Sequence, residues 1–135
     1  FAPLSEMSKD SYLQSLQSKQ LGQIDLVLQG IKMLGKQVSY TLTTGLLNQV
    51  PIPQGTAAAM VNSAIEGFAR AAAIDFEGEQ RINVVSPALL KESEERYRDF
   101  FPGHKSVPGS EVAKSYRKSI MGTDSGEIYN VGWPF

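Results

Sequence analysis

Apolar residues at Tyr12, Leu13, Leu16, Ile24, Val27, Leu28, Ile31 and Leu34 recur at three-to-four spacing, the period of a helix. Ser8 suits an N-cap, Asp10 sits where the helix dipole favours an anion, and Gly35 between Lys32 and Lys36 suits a C-terminal end. The pattern predicts a long helix over about 9–34. Residues 37–44 are rich in β-branched side chains and precede Gly45, which predicts a strand. Two prolines make 50–55 a loop. Residues 56–76 are rich in alanine, with a few larger apolar positions and three charges, predicting a helix buried on most sides.

After a polar turn at 77–80, residues 81–86 read as a short strand ended by Pro87. Residues 91–101 read as a charged helix closing on Phe100 and Phe101, 102–109 as a loop, and 110 to about 121 as a helix with Ser110 as cap. Residues 127–131 read as the last strand. Strands alternating with helices imply βαβ units and parallel pairing. The expected fold is therefore α/β: a partial Rossmann-like parallel sheet of about three strands with flanking helices, as one domain over 1–135. Parallel strands normally sit within larger sheets, of about five to six strands, covered on both faces, so the pattern reads as part of something larger.

Composition narrows the function classes. The 135 residues fit a single core, and 41% apolar content is enough to fill it. Thirteen basic and fourteen acidic residues leave a formal charge of -1, so neither nucleic acid nor anionic membrane is an expected partner. Without cysteine there is no thiolate nucleophile or cysteine zinc site, and His104, the one histidine, has no second His or Cys to complete a metal site. The expected metal content is none. No apolar stretch approaches the roughly 20 residues of a membrane span, and the expected location is the cytoplasm.

Most charged clusters read as structural. Asp75, Glu77 and Glu79 lie at a polar turn, His104 reads as a solvent-facing loop residue, and Glu92, Glu94, Glu95, Arg96, Arg98 and Asp99 alternate in sign as on an exposed helix with i, i+4 pairs. Tyr97, Phe100 and Phe101 read as core or lid, and Trp133, Pro134 and Phe135 as an apolar terminus suited to a contact. Gly30 and Gly35 follow no strand, so they form no phosphate loop.

Three segments carry a resemblance: Ala64-Ile-Glu-Gly-Phe-Ala-Arg-Ala-Ala-Ala73, Arg81-Ile-Asn-Val-Val-Ser-Pro87, and Leu21-Gly22. Together with the order of elements they resemble the C-terminal half of the short-chain dehydrogenases/reductases. The first is similar to the family's central helix, the second to the strand and turn beside the nicotinamide, the third to its Asn-x-x-Gly. The family's glycine-rich first turn lies before the point where Phe1 stands, so the resemblance implies a sheet lacking the N-terminal nucleotide-binding strands.

The departures matter as much. Where the family has Tyr-x-x-x-Lys, with Tyr as general acid/base and Lys lowering its pKa and holding the ribose, this chain has Ala58 and Asn62. The serine position falls on Gly45, with Thr43 and Thr44 adjacent, and the asparagine position falls on Lys19. Asn and Lys are thus exchanged. Either these are two unrelated substitutions or a polar pair is kept with reversed roles. Pro87 and Ala88 would meet a cofactor only if an N-terminal half were supplied.

The resemblance accordingly implies an atypical relative without the Tyr-x-x-x-Lys pair, and the favoured expectation is a non-catalytic module with an assembly or binding role. The alternative is the substrate-side half of an NAD(P)-dependent carbonyl or alcohol oxidoreductase, its cofactor half missing or supplied by another chain. No cofactor is expected in this chain, with NAD or NADP if it is completed. The resemblance further implies a homo-oligomer through helices 9–34 and 56–76, whose Ala57, Ala59, Ala64, Ala71, Ala72, Met60, Val61, Ile65 and Phe68 offer surplus apolar surface. An unpaired sheet edge along 37–44 would suit a further chain or an N-terminal-half partner.

Overall fold

A computed structural model describes residues 1–133; Pro134 and Phe135, read as part of an apolar terminus, lie outside the described residues. Ser8 caps α1 (Lys9–Ser15) as read, its hydroxyl accepting from Ser11 N–H while Ser11 reaches back to the Ser8 N–H. The predicted long helix continues through a π-helical segment, Leu16–Leu21, into α2 (Gly22–Met33). That widened turn carries Lys19. Such insertions shift side-chain register and occur mostly as short pieces at functional sites.

The sheet comprises β1 (Ser39–Thr43), β2 (Arg81–Pro87) and β3 (Ile128–Val131), ordered β1-β2-β3 with both pairings parallel. β1 pairs Ser39 with Arg81 through Thr43 with Val85, and β2 pairs Val84 with Ile128 through Pro87 with Val131. Between β1 and β2 runs α3 (Thr56–Asp75). Between β2 and β3 run α4 (Glu94–Tyr97), flanked by short 3₁₀ turns, and α5 (Gly109–Met121). Alternate strand residues face opposite layers. Tyr40, Leu42, Ile82 and Val84 pack with Val27, Val61, Ile65 and Ala69 of α2 and α3, whereas Thr41, Thr43 and Asn83 bond to α5. Gly30 is required where α2 meets the sheet: a Cβ there would stand 2.6 Å from the Tyr40 ring.

Several expectations are corrected. α3 is not buried on most sides: Val61, Asn62, Ile65, Glu66 and Ala69 are buried, but Ile74 is 85% exposed. Burial is confined to one stripe because a small sheet presents a narrow face. Ser110 does not cap α5; Pro108 holds that position and Glu92, seventeen residues upstream, accepts the Gly109 N–H with both carboxylate oxygens at 3.0 and 3.1 Å. Bonds from backbone N–H groups, its own and that of Gly109, hold Glu92 below the usual carboxylate range. Glu94 likewise accepts from Ser106 at 2.7 Å, so these acids clasp a loop rather than forming i, i+4 pairs. His104 is half-buried, edge-on to the Phe101 ring, rather than facing solvent.

β1 is one edge of the sheet, as read, with β3 the other, but it is shorter than 37–44. Gln23 closes its end, accepting from Thr43 N–H at 2.8 Å and donating to Thr43 O at 3.0 Å. Among the described residues, no helix is long and apolar enough to cross a membrane.

Candidate functional site

Parallel α/β sheets place ligands outside the carboxyl ends of their strands, where loops diverge and backbone groups are left open. In this chain that end is formed by Thr44 and Gly45 after β1 and by Pro87 and Ala88 at the end of β2. A cavity of about 280 Å³ opens there. It is lined by Lys19, Thr44, Gly45, Ala58, Asn62, Pro87 and Ala88, every position mapped from the resemblance apart from Thr43. Four separate elements converge on it: the π turn, the β1 end, α3 and the β2 end.

The polar wall is built from a chain of hydrogen bonds. Lys19 Nζ donates to Asn62 Oδ1 at 3.0 Å, and Asn62 Nδ2 donates to Gly45 O at 3.0 Å. The exchanged pair is therefore in direct contact. Lys19 is an exposed residue overall, but partial burial of its amine, which makes no ion pair among the described residues, pushes it below its ordinary pKa. Ala58, one turn before Asn62 on α3, contributes only a methyl group to the wall. Leu46, Leu47, Leu89 and Phe101 supply apolar lining, and Ser93 and Tyr97 also line the cavity. Phe101 belongs to the core and Tyr97 packs against it half-buried, while Phe100 stacks on Phe1.

Glu66 was not singled out in the sequence. It is 2% exposed and accepts from Thr44 Oγ1 at 3.0 Å and Asn48 Nδ2 at 2.7 Å, with Arg70 3.7 Å away. A buried carboxylate needs such partners to offset its lost hydration. It thereby fixes the Thr44–Asn48 turn that forms one side of the cavity. Its signal was a single acid one turn after Asn62, on the stripe of α3 that carries Ile65 and Ala69.

Thr44 is committed to Glu66 and Thr43 to Tyr116 at 2.6 Å, so neither hydroxyl stands ready for an incoming group. The residues present do not fit a dinucleotide. The turn after β1 carries one glycine followed by the buried Leu46 and Leu47, where a pyrophosphate requires approachable N–H groups at a helix N-terminus. Both ends of the Asn62 amide are engaged, and it carries no charge to hold a ribose. Among the described residues no three metal-ligating side chains gather.

No protein-family profile matches the chain, and no curated protein matches it. Solved structures do. The protein lin1944 from Listeria innocua is 44% identical with a TM-score of 0.93, over 96% of this chain and 65% of that one. A small-chain dehydrogenase in complex with NADPH is 22% identical (TM-score 0.80), over 96% of this chain and 65% of that one. The enoyl-acyl-carrier-protein reductase of Plasmodium berghei with triclosan is 19% identical (TM-score 0.81), over 97% and 52%. The chain thus spans less than two thirds of the length of each. With three parallel strands, helices on both faces and near-complete superposition on these structures, the chain has the Rossmann-like fold of the short-chain dehydrogenases/reductases.

Proposed function

We propose that this chain is a non-catalytic module of short-chain-dehydrogenase-like fold that binds a small ligand in its cleft and assembles through its helices. The observation that carries the reading is Ala58. A general acid must come within about 2.6–3.2 Å of the atom it protonates. At the wall where the resemblance puts a tyrosine, Ala58 offers no such proton, and Asn62 offers an amide in place of an ammonium. Around that gap the cleft is kept: Asn62 is held at both ends and Glu66 secures the adjoining turn. The chain is expected to produce no carbonyl-dependent oxidation of NADH or NADPH, whereas a ligand that fills the cleft shifts the amide resonances of Gly45, Ala58 and Ala88. Turnover above background would overturn the reading.

Assembly is supported by the outer face of the same helices. Leu28 and Ile31 are 46% and 42% exposed and border a groove of about 640 Å³ shared with Phe68, Ala72 and Phe76. A contiguous exposed apolar face of this kind suits a contact with a second copy. Leu28→Glu with Ile31→Glu removes few internal contacts, so it should leave the fold intact and dissociate the oligomer in light scattering. A parent chain that is monomeric at micromolar concentration contradicts the assembly role.

The second reading, the substrate-side half of an NAD(P)-dependent oxidoreductase, is favoured by the Lys19–Asn62 hydrogen bond, because a polar pair kept with exchanged members would be a retained device. Its test is activity on supplying a nucleotide-binding N-terminal half, with loss of that activity in Lys19→Met.

A further inference from the structure

The cleft has an unbalanced charge. Among the described residues that line the 280 Å³ cavity, Lys19 carries the only charged side chain, and none is Asp or Glu. A second cavity, about 410 Å³, shares Phe1, Lys19 and Ala58 with the first, and among the described residues its lining also lacks Asp and Glu. Among the described residues Lys19 makes no ion pair. The carboxylate nearest along α3, Glu66, is already taken by Thr44, Asn48 and Arg70. An ammonium carries three donors, and Asn62 Oδ1 accepts one of them. The amide is itself held by Gly45 O, so the ammonium is positioned rather than free to swing.

We propose that the cleft takes a small monocarboxylate with an apolar body, its carboxylate on the Lys19 ammonium and its body against Leu46, Leu89, Tyr97 and Phe101. The proposal rests on the reading of this chain as a ligand-binding module and names the class of ligand. One cation calls for one negative charge, and a charge-assisted hydrogen bond is stronger than a neutral one. Apart from Thr44, Asn62 and Ser93, which carry no charge, the remaining lining is apolar, which favours an apolar body over a second charged group. At about 30 Å³ per water, 280 Å³ holds roughly nine waters' volume, the size of a compound of about ten non-hydrogen atoms. Burial has lowered the Lys19 pKa, and a bound carboxylate would reverse that shift by favouring the charged amine.

The test uses 3-phenylpropionate, with its neutral amide 3-phenylpropanamide as control, titrated into isotope-labelled protein and followed by NMR. The acid should bind saturably, at least tenfold more tightly than the amide, and raise the pKa of the Lys19 amine. Lys19→Met, which keeps the apolar stem, should reduce the acid to the level of the amide and leave the amide unchanged. Ala58→Phe, which fills the cavity while retaining Lys19, should weaken both. Equal binding of acid and amide, an acid affinity unchanged by Lys19→Met, or no binding of the acid would each overturn the proposal. Binding of the amide with no preference for the acid leaves the binding-module reading standing while removing the carboxylate. Carbonyl-dependent turnover with NADH or NADPH would instead remove the non-catalytic reading, and the charge preference would stand on its own titration.

Discussion

The two faces of one sheet are held by different chemistry. Against α2 and α3, the side chains of Tyr40, Leu42, Ile82 and Val84 meet Val27, Val61, Ile65 and Ala69 in an apolar cluster, and the polar members of the same α3 stripe, Asn62 and Glu66, bond instead to the turn after β1. Against α5, the alternate residues of the same strands form a hydrogen-bonded network. Ser119, fully buried, bonds Thr41 at 2.7 Å and Asn83 at 3.2 Å. Asn83 also donates to Asp124 O at 2.9 Å and accepts from Glu127 N–H at 3.1 Å. Arg81 donates to the Ser119 and Ile120 carbonyls, satisfying the end of α5. Apolar packing is non-directional and tolerates small volume changes, whereas a buried polar network holds one arrangement and penalises any orphaned member.

This contrast yields a graded series of expectations, each measurable by chemical denaturation. Asn83→Leu should have the largest effect, at about 2–4 kcal/mol, because Glu127 N–H loses its partner while Ser119 and Asp124 O each lose one of two. A loss under about 1 kcal/mol would show that water replaces the network. Ser119→Ala follows at about 1–2 kcal/mol, since Thr41 loses its partner and Asn83 loses one of three. Ile65→Val, an equally buried site on the other face, should cost only about 0.5–1.5 kcal/mol. Tyr40→Phe should be neutral or slightly stabilising: the Tyr40 hydroxyl is buried without a partner, so its removal deletes an unmet polar group. A penalty for Tyr40→Phe as large as that for Ser119→Ala would erase the distinction between the faces.

A pH titration sharpens the same comparison on the β3 side. Burial and the hydrogen bond to Asp124 push the Tyr129 phenol up to about 12. The folded chain holds this proton more tightly than the unfolded one, whose tyrosine titrates near 10. The associated stability is therefore intact below about pH 10 and lost as pH rises toward 12. Carbon-13 spectra of labelled tyrosine should show a late-ionising resonance that disappears in Tyr129→Phe. Ionisation of that resonance near 10 would mean that the Asp124 contact does not form in solution.

The positions mapped from the resemblance, Lys19, Thr44, Ala58, Asn62, Pro87 and Ala88, come from four stretches of the chain and line one cavity. Glu66 was not legible, because an acid in an alanine-rich helix looks the same in sequence whether it faces solvent or a buried turn. The clasp of Glu92 on Gly109 was hidden for a related reason. A cap supplied from seventeen residues away leaves no local signature, and Ser110 offered a plausible one that the structure does not use.

The sequence by itself determined the element order, the parallel pairing and the absence of a proton donor at position 58, since periodicity, strand spacing and residue identity are local properties. Tertiary structure decided which polar groups became partners: Lys19 with Asn62, Glu66 with Thr44, Gln23 with the end of β1, Ser119 with Asn83. It also decided that α3 buries a single stripe and leaves Ile74 in solvent. Periodicity reports that a face is apolar. How much of that face is covered depends on the width of the sheet beneath it, and a hydrogen-bond partner is fixed only once helices and strands are packed within about 3 Å of each other.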